Sequence, residues 1–185
     1  MKSGKKFTKE TTMPLILTGI VVIIDQITKA IIANNSPINT IYPPIVNVFN
    51  NDFLHIIHVR NPNIAFSIGR NLPDAIKPVL FVALPLLVLG FLVWYYFSSN
   101  EFTKLQRWAT AGILGGGIGN IADRIFRPDG VVDFISVKFY GIFGLERWPT
   151  FNVADSAVVV CCLLLFFTII ISGKKKDVEL VRRDE

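Results

Sequence analysis

Four long apolar runs constrain this chain more than any other feature of its sequence. They cover about residues 13–33, 76–97, 108–126 and 152–171. A bilayer has a hydrocarbon core about 30 Å thick, which about 20 apolar helical residues can cross. The sequence therefore predicts an all-α membrane protein with four transmembrane helices, in which residues 1–185 form a single integral membrane domain.

The composition agrees with a membrane protein. Charged residues make up 18% of the chain and hydrophobic residues 51%, whereas an average soluble domain carries about 25% charged residues. Four spans would take up nearly half of the 185 residues, which leaves no room for a separate soluble catalytic domain. The net charge of +5 lies mainly in short tails beside the apolar runs. Anionic lipid headgroups attract such tails, so the charge indicates membrane lipid and not nucleic acid.

The distribution of Lys and Arg predicts how the chain is oriented. The two tails and the loop between the second and third runs carry eleven of these residues, whereas the longer loops 34–75 and 127–151 carry five. Because Lys and Arg accumulate in cytoplasmic segments, we expect both termini in the cytoplasm and the two longer loops outside. The apolar segment Ile41–Phe53 predicts a small β-rich region in the first outer loop, at the headgroup surface.

Polar and ionisable side chains interrupt three of the apolar runs. Such groups are costly in a bilayer and usually mark functional sites. In the predicted orientation they all lie toward the outer ends of their spans, and one further aspartate follows in the second outer loop. The sequence therefore predicts one polar site at the outer membrane boundary. Its members are Asp25, Lys29, Asn120, Asp123, Arg124, Asp133, Asn152 and Asp155.

Two of the charged pairs have a structural interpretation. Asp25 and Lys29 are four residues apart on one predicted helix, where opposite charges stabilise each other. Asp123 and Arg124 lie close to Asn120 on another predicted helix, and an ion pair or polar contact between helices would explain them. For these residues the sequence favours a role in holding the helices together.

The other two aspartates point to chemistry. No basic residue lies within one helical turn of Asp155, and Asp133 lies among apolar neighbours, although an ordinary loop carboxylate remains the alternative for it. When two carboxylates lie close together, one pKa rises, so one can polarise a carbonyl while the other takes a proton from water. This is how an aspartic protease works. A zinc site at His55 and His58 is the weaker alternative, because no HExxH pattern occurs.

Five segments of the chain, in order, resemble one family. They are DQITK at 25–29, RNPNIAFS at 60–67, GGIGNIADR at 116–124, VVDF at 131–134 and FNVADS at 151–156. Together with the four-span pattern, they are similar to bacterial lipoprotein signal peptidase (signal peptidase II), of the A8 aspartic peptidases.

The resemblance implies a monomeric enzyme of the bacterial cytoplasmic (inner) membrane that needs no metal or cofactor. Its substrates would be diacylglyceryl-modified prolipoproteins, cleaved just before the lipidated cysteine. The family's catalytic pair falls on Asp133 and Asp155, although Asp123 competes for the role on sequence grounds. The remaining polar residues would bind substrate or support the pair. They are Asp25, Lys29, Asn61, Asn120, Asp123, Arg124 and Asn152.

The chain departs from the family pattern in the first outer loop. Asn63 stands where the family has glycine, and Ile64 replaces a small residue. Asparagine is well suited among non-glycine residues to a left-handed backbone, so we expect the turn to be kept while the fit of the loop to substrate differs.

Two other functions are compatible with intramembrane carboxylates. One is a small membrane carrier or proton pathway that uses Asp25, Asp123 and Asp155. Four short spans without an internal repeat make a carrier the weaker interpretation. The other is a lipoprotein chaperone without enzymatic activity.

Overall fold

The chain forms a helical body with a small antiparallel sheet packed against it. A computed structural model describes residues 7–62, 72–73, 75–99 and 101–181. The helices are α1 (Lys9–Thr12), α2 (Leu15–Asn35), α3 (Leu84–Ser98), α4 (Lys104–Phe126) and α5 (Val153–Val181). A π-helical turn, Val79–Ala83, leads into α3, and the strands are β1 (Val46–Asn47), β2 (Leu54–Asn61) and β3 (Val131–Val137). The predicted turn at Asn63 and the neighbouring Ile64 lie outside the described residues.

Local sequence explains where two of the helices begin. Before α4, the Thr103 hydroxyl accepts a hydrogen bond from the backbone N–H of Gln106 (3.2 Å), and the Gln106 side chain accepts one from the N–H of Thr103 (2.9 Å). Asn152 and Asp155 form the same reciprocal arrangement at the start of α5, with distances of 2.9 and 3.1 Å. Such pairs satisfy N–H groups that have no partner within the helix.

Helix α4 is the centre of the helical body, because it packs against α2, α3 and α5. Glycines allow this close approach. A Cβ atom on Gly116 would lie 2.4 Å from the carbonyl oxygen of Ala154 in α5, and one on Gly119 would lie 2.6 Å from Oδ2 of Asp25 in α2. A side chain at either position would therefore push a neighbouring helix or a buried carboxylate away.

Within the residues that the structure describes, three helical segments are long and apolar enough to cross a membrane, namely Lys9–Asn35, Val79–Ser98 and Val153–Ile171. They agree with three of the four predicted spans, with ends shifted by a few residues. Helix α4 has 23 residues, but charged residues lie near both of its ends and much of it is buried between the other helices. The fourth span and the all-α class therefore stay predictions.

The sheet has the order β1-β2-β3, and both strand pairs are antiparallel. Leu54 pairs with Val137 at one end of the β2-β3 ladder and Asn61 with Val131 at the other, with a bulge between Ile56 and Val59. The sheet thus joins the segment after α2 to the segment after α4, and β3 begins 70 residues after β2 ends.

The location of the β-rich region was predicted in part. Strands β1 and β2 lie in the predicted first outer loop, residues 34–75, although β2 follows the segment Ile41–Phe53, and β3 comes from the predicted second outer loop, where no strand was expected. As a result Asp133, expected on a loop, lies in a strand and is buried. Alternation within Ile41–Phe53 could not reveal a strand partner so distant in sequence.

Candidate active site

Asp133 lies in β3 with a side chain that is only 4% exposed. Its Oδ1 accepts a hydrogen bond from Nδ2 of Asn152 (2.8 Å), and its Oδ2 accepts one from Nδ2 of Asn61 (3.1 Å). Asp133 pairs with Val59 in the neighbouring strand, so Asn61, two residues further along β2, lies diagonally opposite. The sheet register therefore determines which amide reaches this carboxylate.

Asp155 lies in the first turn of α5. Its Oδ1 accepts a hydrogen bond from Nδ2 of Asn120 (2.7 Å), and its Oδ2 accepts one from the backbone N–H of Asn152 (3.1 Å). Asn152 therefore donates to both carboxylates, from its side chain to Asp133 and from its main chain to Asp155. One helix cap residue links the strand aspartate to the helix aspartate.

The surroundings of Asp133 change its acidity. Burial and the negative charge of Asp155 raise the pKa of Asp133, and the hydrogen bonds from Asn61 and Asn152 and the charge of Lys29 lower it. The net result is a pKa raised to about 7. Near neutral pH this carboxyl can hold a proton beside a second carboxylate. Such a pair can donate a hydrogen bond and accept a proton at the same time, as general acid–base catalysis requires.

A second pair of aspartates surrounds Lys29. Asp25, Lys29 and Asp123 are all completely buried. The Lys29 Nζ lies 2.8 Å from Oδ2 of Asp25, which confirms the predicted pair, and 3.2 Å from Oδ2 of Asp123. It also donates to Oδ1 of Asn120 (2.9 Å), the residue that binds Asp155. Lys29 therefore connects both pairs of carboxylates.

The second cation beside Asp123 is not its sequence neighbour. Nη1 of Arg127 lies 3.5 Å from Oδ1 of Asp123. Nη1 of Arg124 donates to the backbone carbonyl oxygen of Asn120 (3.3 Å), and its guanidinium lies within electrostatic reach of Asp123 and of the strand and helix aspartates. The sequence predicted an ion pair or a polar contact between helices for Asp123 and Arg124. Asp123 makes such a contact with Lys29 of α2, whereas the hydrogen bond from Arg124 to Asn120 lies within α4.

Gln26 is a site residue that the sequence analysis did not select. Its Nε2 donates to Oδ2 of Asp25 (3.2 Å), to Oδ1 of Asp123 (3.0 Å) and to the carbonyl oxygen of Gly119 (3.1 Å). It is uncharged and adjacent to Asp25, and adjacent helical residues point about 100° apart. Its place in the segment DQITK was the only signal that could have indicated it.

One hydrogen-bonded network includes every predicted site residue. Its links are the contacts described above, which join α2, α4, α5 and two strands. The nine residues are Asp25, Lys29, Asn61, Asn120, Asp123, Arg124, Asp133, Asn152 and Asp155. In the described part of the chain, no group of three or more His, Cys, Asp or Glu side chains is placed to hold a metal ion.

A separate charged cluster lies on the exposed part of the sheet. The carboxylate of Asp52, which is 53% exposed, pairs with Lys138 and with Arg147, whose Nη1 lies 3.1 Å from Oδ1. His55 Nε2 lies 3.4 Å from the same oxygen. The hydrogen bond and charge of Lys138 lower the pKa of Asp52, so this carboxylate is a stable anion.

The chain is similar to known proteins along most of its length. The family model described as signal peptidase (SPase) II, peptidase family A8, matches residues 17–171. The lipoprotein signal peptidase of Treponema pallidum is 45% identical over 150 residues, which cover 81% of this chain and 78% of that protein. The lipoprotein signal peptidase of Borrelia hermsii is 49% identical over 144 residues, which cover 78% of this chain and 81% of that protein.

Solved structures share the fold. A bacterial membrane enzyme determined by the in meso method at 2.3 Å resolution superimposes with a TM-score of 0.73 at 28% identity, over 89% of this chain and 92% of that chain. A second such structure, at 1.9 Å resolution, gives a TM-score of 0.70 at 26% identity, over 85% of this chain and 92% of that chain. With a family match of this length and relatives of this identity, the chain belongs to the signal peptidase II family of lipoprotein-processing membrane peptidases.

Proposed function

We propose that Asp133 and Asp155 are the catalytic pair with which this chain cleaves diacylglyceryl-modified prolipoproteins just before the lipidated cysteine. The observation that carries the proposal is that Asn152 donates to both carboxylates and so links them across two elements of the fold. The membrane carrier considered from sequence gains no support, because the matched relatives are named lipoprotein signal peptidases.

The proposed reaction needs one proton shared between the two carboxyls. Asp133, whose pKa is raised to about 7, holds this proton and donates a hydrogen bond to the scissile carbonyl oxygen. Asp155, ionised, takes a proton from a water molecule as the water oxygen bonds to the carbonyl carbon. When the resulting tetrahedral intermediate breaks its C–N bond, the departing amine takes the proton that Asp155 received from water, which returns both carboxyls to their starting states. No covalent enzyme intermediate forms.

The surroundings of Asp123 favour a supporting role for it. Its carboxylate lies within 3.5 Å of two cations, Lys29 and Arg127, and accepts hydrogen bonds from the Val132 backbone N–H and from Gln26. These contacts engage both oxygens of the carboxylate, which suits a structural role better than contact with water and substrate. In this proposal Asp123 belongs to the polar shell around the pair, together with Asn61, which binds Asp133.

The proposal includes an arrangement in the bacterial inner membrane. All four long helices span it in one monomeric domain, both termini are cytoplasmic, and the pair lies at the outer boundary, where lipid chains of the substrate enter sideways from the bilayer. Exposed apolar side chains on the connection after β3 support contact with lipid headgroups, since Tyr140 is 65%, Ile142 51% and Phe143 88% exposed.

The test is cleavage of a lipidated precursor by the purified protein in detergent or liposomes. Asp133→Asn and Asp155→Asn should each abolish cleavage while the protein remains folded. Asp129→Asn, which changes an exposed aspartate in the turn before β3, is the matched control and should cleave normally.

Full activity in either Asp133→Asn or Asp155→Asn would refute the assignment. If both of these variants cleave and Asp123→Asn does not, Asp123 belongs to the pair. If the wild type leaves a lipidated precursor intact, the proposed substrate is wrong.

A further inference from the structure

The first observation concerns the backbone next to Asp133. Oδ2 of Asp123 accepts a hydrogen bond from the N–H of Val132 (3.1 Å), the residue directly before Asp133 in β3. Val132 and Asp123 are both completely buried. The end of α4 therefore holds the backbone of β3 directly before Asp133, and so fixes the position from which the Asp133 side chain extends.

The second observation is the same contact on the other side of the site. Oδ1 of Asp25 accepts a hydrogen bond from the N–H of Ala154 (2.9 Å), the residue directly before Asp155 in α5. Ala154 and Asp25 are also completely buried. Asp123 and Asp25 form a supporting pair. Each accepts a hydrogen bond from the backbone N–H that directly precedes one aspartate of the proposed catalytic pair.

Two donors join these contacts to each other. The Lys29 ammonium lies 2.8 Å from Asp25 and 3.2 Å from Asp123. The Gln26 amide lies 3.2 and 3.0 Å from the same two carboxylates. Because buried hydrogen bonds to ions are strong and are costly to leave unmade, the distance between the two supporting carboxylates is tightly fixed.

We propose that Gln26 and Lys29 are positioning residues that set the separation of the proposed catalytic pair. They fix the distance between Asp25 and Asp123. Because these carboxylates bind the N–H groups before Asp133 and Asp155, that distance determines where β3 and the start of α5 lie. The inference rests on the proposed function. It assigns a task to Gln26, an uncharged residue outside the catalytic pair.

Gln26 provides a cleaner test than Lys29. The charges that face Asp133 come from Asp155 on α5, Lys29 on α2 and Arg124 on α4. Replacing Lys29 would change the electric field at Asp133 as well as the geometry. Gln26→Met removes the bridging donors, keeps a side chain of similar length and leaves every charge in place.

The expected result is a change in kcat and in its pH dependence. A misplacement of about 1 Å can cost up to about 100-fold in rate, so kcat of Gln26→Met should fall by about 10- to 100-fold, with KM close to that of the wild type. If the carboxyls separate, Asp133 loses part of the repulsion from Asp155 that raises its pKa. The alkaline limb of the kcat profile should therefore move to lower pH.

A second measurement reads the backbone directly. Amide hydrogen exchange at Val132 and Ala154 should be faster in Gln26→Met than in the wild type, because the two aspartates no longer hold these N–H groups in fixed places. This measurement needs only folded protein and no substrate.

The matched control is Gln106→Met. Gln106 is a buried glutamine that also forms a hydrogen bond, but it lies at the start of α4, at the other end of that helix from Asp123. Its replacement should lower thermal stability without moving the alkaline limb or the exchange rates of Val132 and Ala154.

The proposal is overturned if Gln26→Met keeps the wild-type alkaline limb or wild-type exchange at both amides, whatever happens to its overall activity. Failure of the proposed function would look different. In that case Asp133→Asn or Asp155→Asn would still cleave, whereas inactive aspartate variants combined with an unaltered Gln26→Met would reject the positioning role alone.

Discussion

The molecule contains two pairs of buried or half-buried aspartates that differ in what lies between them. Between Asp25 and Asp123 lies an ammonium group, that of Lys29. Between Asp133 and Asp155 lies a neutral residue, Asn152. The four acidic side chains are chemically identical and belong to one network, so their neighbours determine their different properties.

A cation and an amide stabilise a carboxylate to different extents. Both can donate hydrogen bonds to a carboxylate, but only the cation adds an opposite charge, and an adjacent cation favours the ionised form. The amides around Asp133 do not compensate for its burial, since its pKa remains raised to about 7. The comparison indicates that the first pair, Asp25 and Asp123, holds the fold together. The second pair, Asp133 and Asp155, can exchange a proton.

The largest effect should follow from removing the cation between the first pair. Lys29→Met leaves two buried carboxylates, Asp25 and Asp123, without the ammonium that they share. Removing one partner of a buried ion pair typically costs about 3–5 kcal/mol, so the thermal midpoint in detergent should fall sharply. If its midpoint equalled that of the wild type, the structural role of the first pair would be wrong.

Lys104→Met is the control for this experiment. Lys104 is 83% exposed and pairs with Glu10 at 3.5 Å. Its replacement removes the same charge and the same side chain from a site in contact with water, and should leave the midpoint unchanged.

The second prediction concerns the pH dependence of stability. Because the folded state raises the pKa of Asp133 from 3.8 to about 7, it binds this proton more tightly than the unfolded chain does. The resulting stability is fully present below pH 3.8 and is lost as the pH rises through about 7. The loss is on the order of 4 kcal/mol.

Asp133→Asn should therefore flatten the change in thermal midpoint between pH 5 and pH 8. The exposed variant Asp129→Asn should keep the wild-type slope. If the thermal midpoint of Asp133→Asn changed with pH as it does in the wild type, Asp133 would titrate normally. The contrast between the two pairs of aspartates would then disappear.

A smaller effect should come from crowding the first pair. A Cβ on Gly119 would lie 2.6 Å from Oδ2 of Asp25, so Gly119→Ala must displace either this carboxylate or α4. Overpacking of this kind typically costs about 1–3 kcal/mol, and cleavage should fall with it. Gly90→Ala in α3 meets no atom within 4 Å and should preserve both stability and activity. Equal behaviour of the two variants would contradict the close approach.

Much of the helical part of the fold could be predicted because its signals are local. An apolar run long enough to cross a bilayer identifies a helix by itself. Both ends of α2 lie two residues from the predicted ones, and the helical segment Val79–Ser98, which includes α3, begins three residues late and ends one residue late. For the sheet, a β-rich region in the loop after α2 could be predicted, but the pairing of its strands could not. Strand β2 contains His55, His58 and Arg60 among its apolar residues, and its partner β3 begins 70 residues after β2 ends.

The site was predicted as a set of residues but not as a set of contacts. Charged side chains inside apolar runs are conspicuous one by one, which is why Lys29 and Asp123 could be selected. Their contact joins α2 to α4 and depends on how closely those helices pack. Backbone donors leave no mark in a sequence at all, so the N–H groups of Val132 and Ala154 could be found only in the structure.

The smallest effect should come from the exposed cluster on the sheet, where cations also surround a carboxylate. Asp52 contacts Lys138 and Arg147, just as Asp123 contacts Lys29 and Arg127. It is 53% exposed, however, so water already solvates its charge, and exposed ion pairs contribute little to stability. Asp52→Asn should change the thermal midpoint far less than Lys29→Met does, at low and at high salt. If the thermal midpoint fell equally in the two variants, the number of ionic contacts would matter more than their burial. Asp25 and Asp123 would then owe their structural role to something other than their enclosure between the helices.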